Sequence, residues 1–349
     1  MQLSNVHSYQ RPDADHLELD PQADALRGHA GRVTFNKIAG ERTRMTSIVQ
    51  YKSPGFELND IGFLLRADEI WQQNWLQIKW ERPRKYVRTT HINFNQWSNH
   101  NFDGDRLSLG TNFNGHWTFQ NLWSTGFGVN ANARNFDDRR TRGGPGGYGN
   151  RNVNSWQYFN TNNRLKVSFN WNSNFGSSGE GGGGFNVQPG IVLRPTSAFS
   201  AEIAFLYDRN TNDAQWVQAV VASDATHYVF GRLNQTTTSI TTRVNYTLTP
   251  NLSLQVYAQP FVAAGAYRDF KQASMTRARD YEDRFAEYDG GQLRRQDDVY
   301  LVDENRDGAP DYGFGVPDFD FRELRSTVVL RYQYRPGSTM FFIWSHGRA

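Results

Sequence analysis

The sequence predicts an all-β protein, an antiparallel up-and-down transmembrane β-barrel of roughly sixteen strands. Three observations carry this expectation. The first is alternation along the ribbon from Thr236 to Phe261, two arms joined at Thr249, Pro250 and Asn251. Ile240, Thr242, Val244, Tyr246 and Leu248 fall on one face of the first arm, and Ser239, Thr241, Arg243, Asn245 and Thr247 on the other. In the second arm Leu252, Leu254, Val256 and Ala258 alternate with Ser253, Gln255, Tyr257 and Gln259. Strand side chains alternate with period two, so the ribbon has one apolar and one polar side. Each arm matches the about 9 to 11 residues that cross a bilayer as a tilted strand. The second observation is that short and long connections mostly take turns, as in a meander with tight turns at one end and loops at the other. The third is that Trp117, Phe119, Trp123, Tyr207, Tyr246, Tyr332 and Tyr334 fall near strand ends on the apolar face, where interfacial girdles belong.

Composition agrees. Among 349 residues, Gly 31, Trp 10, Tyr 16 and Phe 24 make a chain of aromatics and turn formers. Only 38% of residues are hydrophobic, which fits a barrel whose strands turn half their side chains to water. A formal charge of +3 from dispersed residues gives no nucleic-acid footprint. The absence of cysteine excludes disulfide scaffolds and thiolate metal sites. No apolar run is long enough for a transmembrane helix, and residues 1–5 do not open a signal peptide. An outer-membrane protein needs such an address, so the expectation is either that the leader has been cut off or that the chain is a fragment.

Residues 1–30, with Pro12, Asp13, Asp15, Asp20, Pro21 and Asp24, are polar and aperiodic, and are expected as an arm or loop remnant before a barrel at 31–347. Alternation is weak at 44–51 and clearer at 74–80, where Leu76, Ile78 and Trp80 oppose Trp75, Gln77 and Lys79. At 107–119 Leu107, Leu109, Thr111, Phe113, Gly115, Trp117 and Phe119 oppose Ser108, Gly110, Asn112, Asn114, His116 and Thr118. The same rule governs 123–132, 165–172, 199–207 and 324–334. Short turns are predicted at 83–85, 161–163, 195–197, 223–225, 250–251 and 336–338. Longer polar links are predicted at 99–105, 135–152, 174–184, 208–213 and 267–321, the last expected as an extracellular or lumen-inserted loop. A large soluble antiparallel sheet with one buried face would show the same alternation.

Several stretches resemble a known family. The run Ser53, Pro54, Gly55, Phe56, Glu57, Leu58, Asn59, Asp60, Ile61, Gly62, Phe63 is its most recognisable segment. Asn95-Gln96-Trp97, Arg194-Pro195-Thr196-Ser197, Thr226-His227-Tyr228-Val229-Phe230, Tyr257-Ala258-Gln259-Pro260-Phe261 and Pro317-Asp318-Phe319-Asp320-Phe321-Arg322 are similar to later ones in the same order. The chain thus resembles the C-terminal β-barrel region of a domain-of-unknown-function family of Bacteroidetes-like and Gemmatimonadetes-like bacteria. In that family the barrel follows a signal peptide and a carbohydrate-binding-module-like N-terminal domain. The resemblance implies a bacterial outer-membrane location, with lipid and the missing N-terminal module as partners. It brings no functional residues with it. The resemblance also leads one to expect a closing strand and terminal aromatic residue, which the run His346, Gly347, Arg348, Ala349 does not supply.

Candidate chemistry is sparse. Asp303, Asn305, Asp307, Gly308 and Asp311 are spaced like the first nine positions of a calcium loop, alternate oxygen ligands with glycine at the sixth. Phe314 stands where the twelfth-position Glu belongs, and a solvated acidic turn is the competing reading. Arg134, Lys166, Glu202, Arg243, Arg325 and Arg331 fall on the polar face as candidate lumen-lining residues; their alternative is packing through paired charges. Histidines such as His91, His100, His116 and His227 lack the spacing of a nucleophile and base, and the glycine clusters precede no helix that could cradle phosphate. The expected function is solute passage or docking, of a saccharide or peptide, without catalysis. The alternatives are a blocked scaffold barrel that anchors a binding module and a soluble carbohydrate-binding β-protein.

Overall fold

The computed structural model describes residues 13–17, 25–58, 62–222 and 224–348. Much of the N-terminal arm, residues 59–61 of the family-like stretch and Ser223 of a predicted turn lie outside the described residues. In chain order the strands are β1 (Ala30–Lys37), β2 (Thr43–Lys52), β3 (Glu69–Trp80), β4 (Val87–His100), β5 (Arg106–Phe119), β6 (Ser124–Asn132), β7 (Phe136–Asp137), β8 (Gly147–Tyr148), β9 (Asn152–Asn160) and β10 (Val167–Ser178). They continue with β11 (Gly183–Thr196), β12 (Phe199–Ala222), β13 (Ala225–Thr249), β14 (Leu252–Ala273), β15 (Phe285–Glu287), β16 (Leu293–Gln296), β17 (Val299–Val302), β18 (Tyr312–Gly315), β19 (Phe319–Arg335) and β20 (Ser338–Arg348).

One antiparallel meander holds the fold: β1-β2-β3-β4-β5-β6-β9-β10-β11-β12-β13-β14-β19-β20, each strand bonded to the next in this order. Among the described residues fourteen strands thus form this path, where about sixteen were expected. Part of the difference arises at residues 208–213. Their polarity reads as a link, yet they continue β12, which runs for 24 residues. The ribbon at 236–261 is likewise the lower part of strands of 25 and 22 residues, β13 and β14. The long link is correspondingly shorter than 267–321 and lies between Ala273 and Phe319. Among the described residues β1 and β20 do not pair, so the sheet is open and no closed barrel is present.

Register gives the sheet its slant. A continuous row of partners runs Thr43, Ile78, Ile92, Gly115, Phe127, Gln157, Ser173, Val187, Tyr207, Thr238, Val262, Arg322. Thr43 is the first residue of β2, whereas Arg322 lies 13 residues (335 − 322) from the turn end of β19, eleven strand steps away. With about 3.3 Å per residue and 4.8 Å between strands, this stagger corresponds to a tilt of about 39°.

Exposure in the sheet is the reverse of a water-soluble core. Ile203 is 50% exposed, Ile191 48% and Phe127 39%, while Ser239 is 4% exposed, Ser168 6% and Asn93 7%. A polar group lies on the apolar face where β9 meets β10. There Trp171 Nε1 donates to Ser173 Oγ, Ser173 Oγ to Gln157 Oε1 and Gln157 Nε2 to Ser155 Oγ, each at 3.1 Å, so the group satisfies itself.

The buried apolar core sits elsewhere, in a head where β12–β14 project past their neighbours. On one face of this ribbon Val229 and Phe270 pack with Val302, Tyr312 and Phe314 of the small β16-β17-β18 sheet. On the other, Phe230 meets Phe285 edge-on at 5.3 Å, and Arg140 from the β6–β9 loop lies over both rings. Arg277, four residues past the end of β14, donates to Asp105 beside β5 at 2.8 Å. β5 and β14 are seven strand steps apart, roughly 34 Å along a flat sheet, which four residues of chain cannot bridge. A flat sheet is therefore excluded, and the loop ends of distant strands converge.

Candidate functional site

The polar face of the sheet from β4 to β11 is built of amides, glycines and aromatic rings. Antiparallel pairing sets Asn93 opposite Asn114, Asn95 opposite Asn112 and Asn130 opposite Asn154, so carboxamides meet across strands. Asn93 Nδ2 donates to Asn114 Oδ1 at 2.7 Å, Asn95 Nδ2 to Asn112 Oδ1 at 2.9 Å, Asn112 Nδ2 to Asn130 Oδ1 at 2.8 Å and Asn130 Nδ2 to Asn154 Oδ1 at 2.6 Å. Trp75 Nε1 and Gln77 Nε2 both donate to Asn93 Oδ1. These ladders hold the wall without charge.

Aromatic rings lie on this wall where the neighbouring strand offers glycine. A Cβ on Gly128 would come within 2.4 Å of the Trp156 indole, one on Gly126 within 2.4 Å of the Tyr158 ring, and one on Gly110 within 2.4 Å of Trp97. The missing side chains let the rings press against backbone. His116 completes the group, its Nδ1 3.0 Å from Tyr158 Oη and its Nε2 3.0 Å from Asn114 Oδ1.

The charged residues expected to line a lumen do not converge. Arg134 lies past the end of β6, where its carbonyl accepts from Arg106 at 2.7 Å. Lys166 belongs to the β9–β10 turn, and its carbonyl caps Arg194 N. Their polarity marks chain leaving the sheet. Glu202 and Arg243 are cross-strand partners 3.7 Å apart, and Arg325 pairs with Glu323 at 2.8 Å. Arg331 stands alone of the six near the turn end of β19, opposite Phe341.

Asp303, Asn305, Asp307 and Asp311 do share a loop, between β17 and β18. Their oxygens face inward on backbone: Asp303 accepts from Asp307 N at 3.1 Å and Gly308 N at 2.8 Å, Asn305 Oδ1 from Asp307 N at 2.8 Å, and Asp311 Oδ2 from Glu304 N at 2.7 Å. Among the described residues no three His, Cys, Asp or Glu side chains are grouped to hold a metal.

The head carries the buried charges that the sequence reading did not single out. Lys271, 1% exposed, places Nζ 2.6 Å from Tyr281 Oη and 3.5 Å from Asp213 Oδ2, and Tyr281 also bonds Asp213. Arg232 reaches the other oxygen of Asp213 at 3.2 Å. Burial lowers the Arg66 guanidinium to about 10, with Arg139 adding to the effect, although Arg66 is paired to Asp138. The hydrogen bond to Asp105 raises Arg277. Burial and a bond to Tyr312 push the Tyr288 phenol up, and burial pushes Tyr312 up to about 12. The Lys271–Asp213 contact spans 58 positions of sequence, so no local spacing announces it.

A search of curated proteins returns no match, and neither does a search of solved structures. The family model described as domain of unknown function (DUF5916) matches residues 8–346, nearly the whole chain, and the protein belongs to that family.

Proposed function

We propose that the chain is the wall and head of a bacterial outer-membrane β-barrel that docks or passes a small polar solute and makes or breaks no bond in it. The observation that carries this reading is the inverted exposure of the sheet, apolar side chains outward and amides shielded. In water such a face would be a very large apolar patch; in lipid it is the expected outer surface. A tilt of about 39° falls within the range that lets strands close into a barrel. Tight turns at 197–198, 250–251 and 336–337 lie at one end, and the β2–β3, β6–β9 and β14–β19 loops at the other.

Because the chain has no cysteine, single cysteines test the assignment cleanly. In liposomes, Ile191→Cys and Ile203→Cys should resist a charged maleimide and react with a lipid-soluble one, while Asn170→Cys and Asn172→Cys should do the reverse. Equal labelling of both sets by the charged reagent sinks the proposal. A blocked scaffold barrel is favoured by one observation, the convergence of loops through Arg277, Asp105 and Asp13. Planar-bilayer conductance separates the two readings: a passage conducts, and a plugged scaffold does so only once the 274–318 link is removed.

A further inference from the structure

Resting on that reading, we propose that the polar wall carries a binding platform for a neutral saccharide, formed by Trp156, Tyr158 and His116. Trp156 and Tyr158 are two residues apart on β9 and point to the same face. Their ring planes agree within 11° with centroids 6.2 Å apart. The His116 ring is inclined by 31° to each, at 5.5 Å from Trp156 and 5.7 Å from Tyr158. Gly128 and Gly126 leave the space that the two larger rings occupy against the wall, where a Cβ would come within 2.4 Å of each ring. All three side chains keep part of their surface exposed.

Three properties together select the ligand. A flat π-face carries partial negative charge and attracts the partly positive C–H faces of a pyranose ring. Carboxamides of Asn114, Asn130 and Asn154 surround the platform with donors and acceptors suited to hydroxyl groups. The central band of the wall from β4 to β11 is also uncharged. The polar-face positions of 91–99, 108–118, 124–132, 152–160, 168–178 and 184–192 contain no Asp, Glu, Lys or Arg. An anionic sugar or a nucleotide would find no counter-charge here, and an extended peptide would find no free strand edge, since these strands are paired on both sides.

The test uses the whole protein in detergent micelles, with tryptophan fluorescence as readout and maltohexaose, cellohexaose, hexagalacturonate and a neutral Gly-Ser hexapeptide as probes. At least one neutral hexasaccharide should titrate saturably in the millimolar range. Trp156→Ala should weaken it about tenfold or more, as loss of one stacking ring does for a nucleobase, and Trp156→Phe should keep most of the affinity. Trp171→Phe, on the apolar face, should leave it unchanged. Absence of a saturable signal with both neutral sugars overturns the proposal, as does equal affinity for the peptide or the galacturonate, or indifference to Trp156→Ala. The cysteine-labelling pattern stays independent of these outcomes: intact labelling without sugar binding rejects the platform and leaves the barrel standing.

Discussion

At the scale of single residues the head follows the rules of a water-soluble core. The Lys271 ammonium is buried against Asp213 and Tyr281 with the rings of Tyr281 and Phe285 at 5.0 and 5.4 Å. Removing the carboxylate leaves that buried charge facing the exposed Glu287 carboxylate at 3.8 Å, whereas removing the ammonium leaves Asp213 with Arg232 at 3.2 Å. Asp213→Ala should therefore destabilise the head by about 3–5 kcal/mol, and Lys271→Met by clearly less, measured by urea unfolding. The Tyr288–Tyr312 hydroxyl pair, 3.0 Å apart, gives the head an alkaline limit. Both phenols titrate above their ordinary value in the folded state, Tyr312 at about 12. The folded state then holds protons that the unfolded chain releases, so their contribution is complete below pH of about 10 and is lost as pH rises toward about 12. Melting temperature followed across that window should fall in the wild type and fall less in the Tyr288→Phe, Tyr312→Phe double variant. The 303–311 loop holds itself by side-chain to backbone bonds, which a cation would have to displace. Isothermal titration should accordingly give calcium affinity no tighter than the about 10⁻⁴ to 10⁻³ M of extracellular modules, and none after Asp307→Ala.

At the scale of elements each wall strand of the proposed barrel meets lipid on one side and water on the other, and substitutions test the two sides separately. Ile203→Arg, on the apolar face of β12, should cost about 2–4 kcal/mol if that position lies near the bilayer midplane. Thr241→Arg, opposite Ala204 on the polar face of β13, should cost much less; refolding yield into lipid vesicles measures both. Alternation made such strands legible in the sequence: the apolar sets of β5, β6 and β19 are the ones the residues announce. It failed where strands pass beyond the band that needs an apolar face. Asp208, Arg209, Asn210 and Asn212 are still paired with β13 although their composition is that of a loop. The platform was hidden for a related reason. Aromatic residues are read as markers of an apolar face, and Trp156 and Tyr158 lie on the polar one. The available signal was Gly126 and Gly128 directly opposite them on β6, small residues spaced to receive two rings.

At the scale of the whole molecule, two folding regimes are joined along three strands. β12, β13 and β14 each have one end in the wall and the other in the head, so at about 3.3 Å per residue each carries both environments over roughly 70–80 Å. The wall has almost no buried apolar interior and depends on its surroundings to accept Ile191, Ile203 and Phe127, whereas the head buries Val229, Val302 and Phe314 by itself. Their stabilities should then respond differently to solvent, because only the head gains from hydrophobic burial in water. Hydrogen exchange on protein in lipid nanodiscs, and again after transfer to a weak, short-chain detergent, measures this. Amides of β3–β6 and β9–β11 should lose protection on transfer, while those of β16–β18 and of the β12–β14 segments packed against them keep it. Equal loss in both regions would mean that the head has no stability apart from the wall. Equal retention would mean that lipid contributes nothing to the wall, and the exposed apolar face would then need a protein partner to cover it.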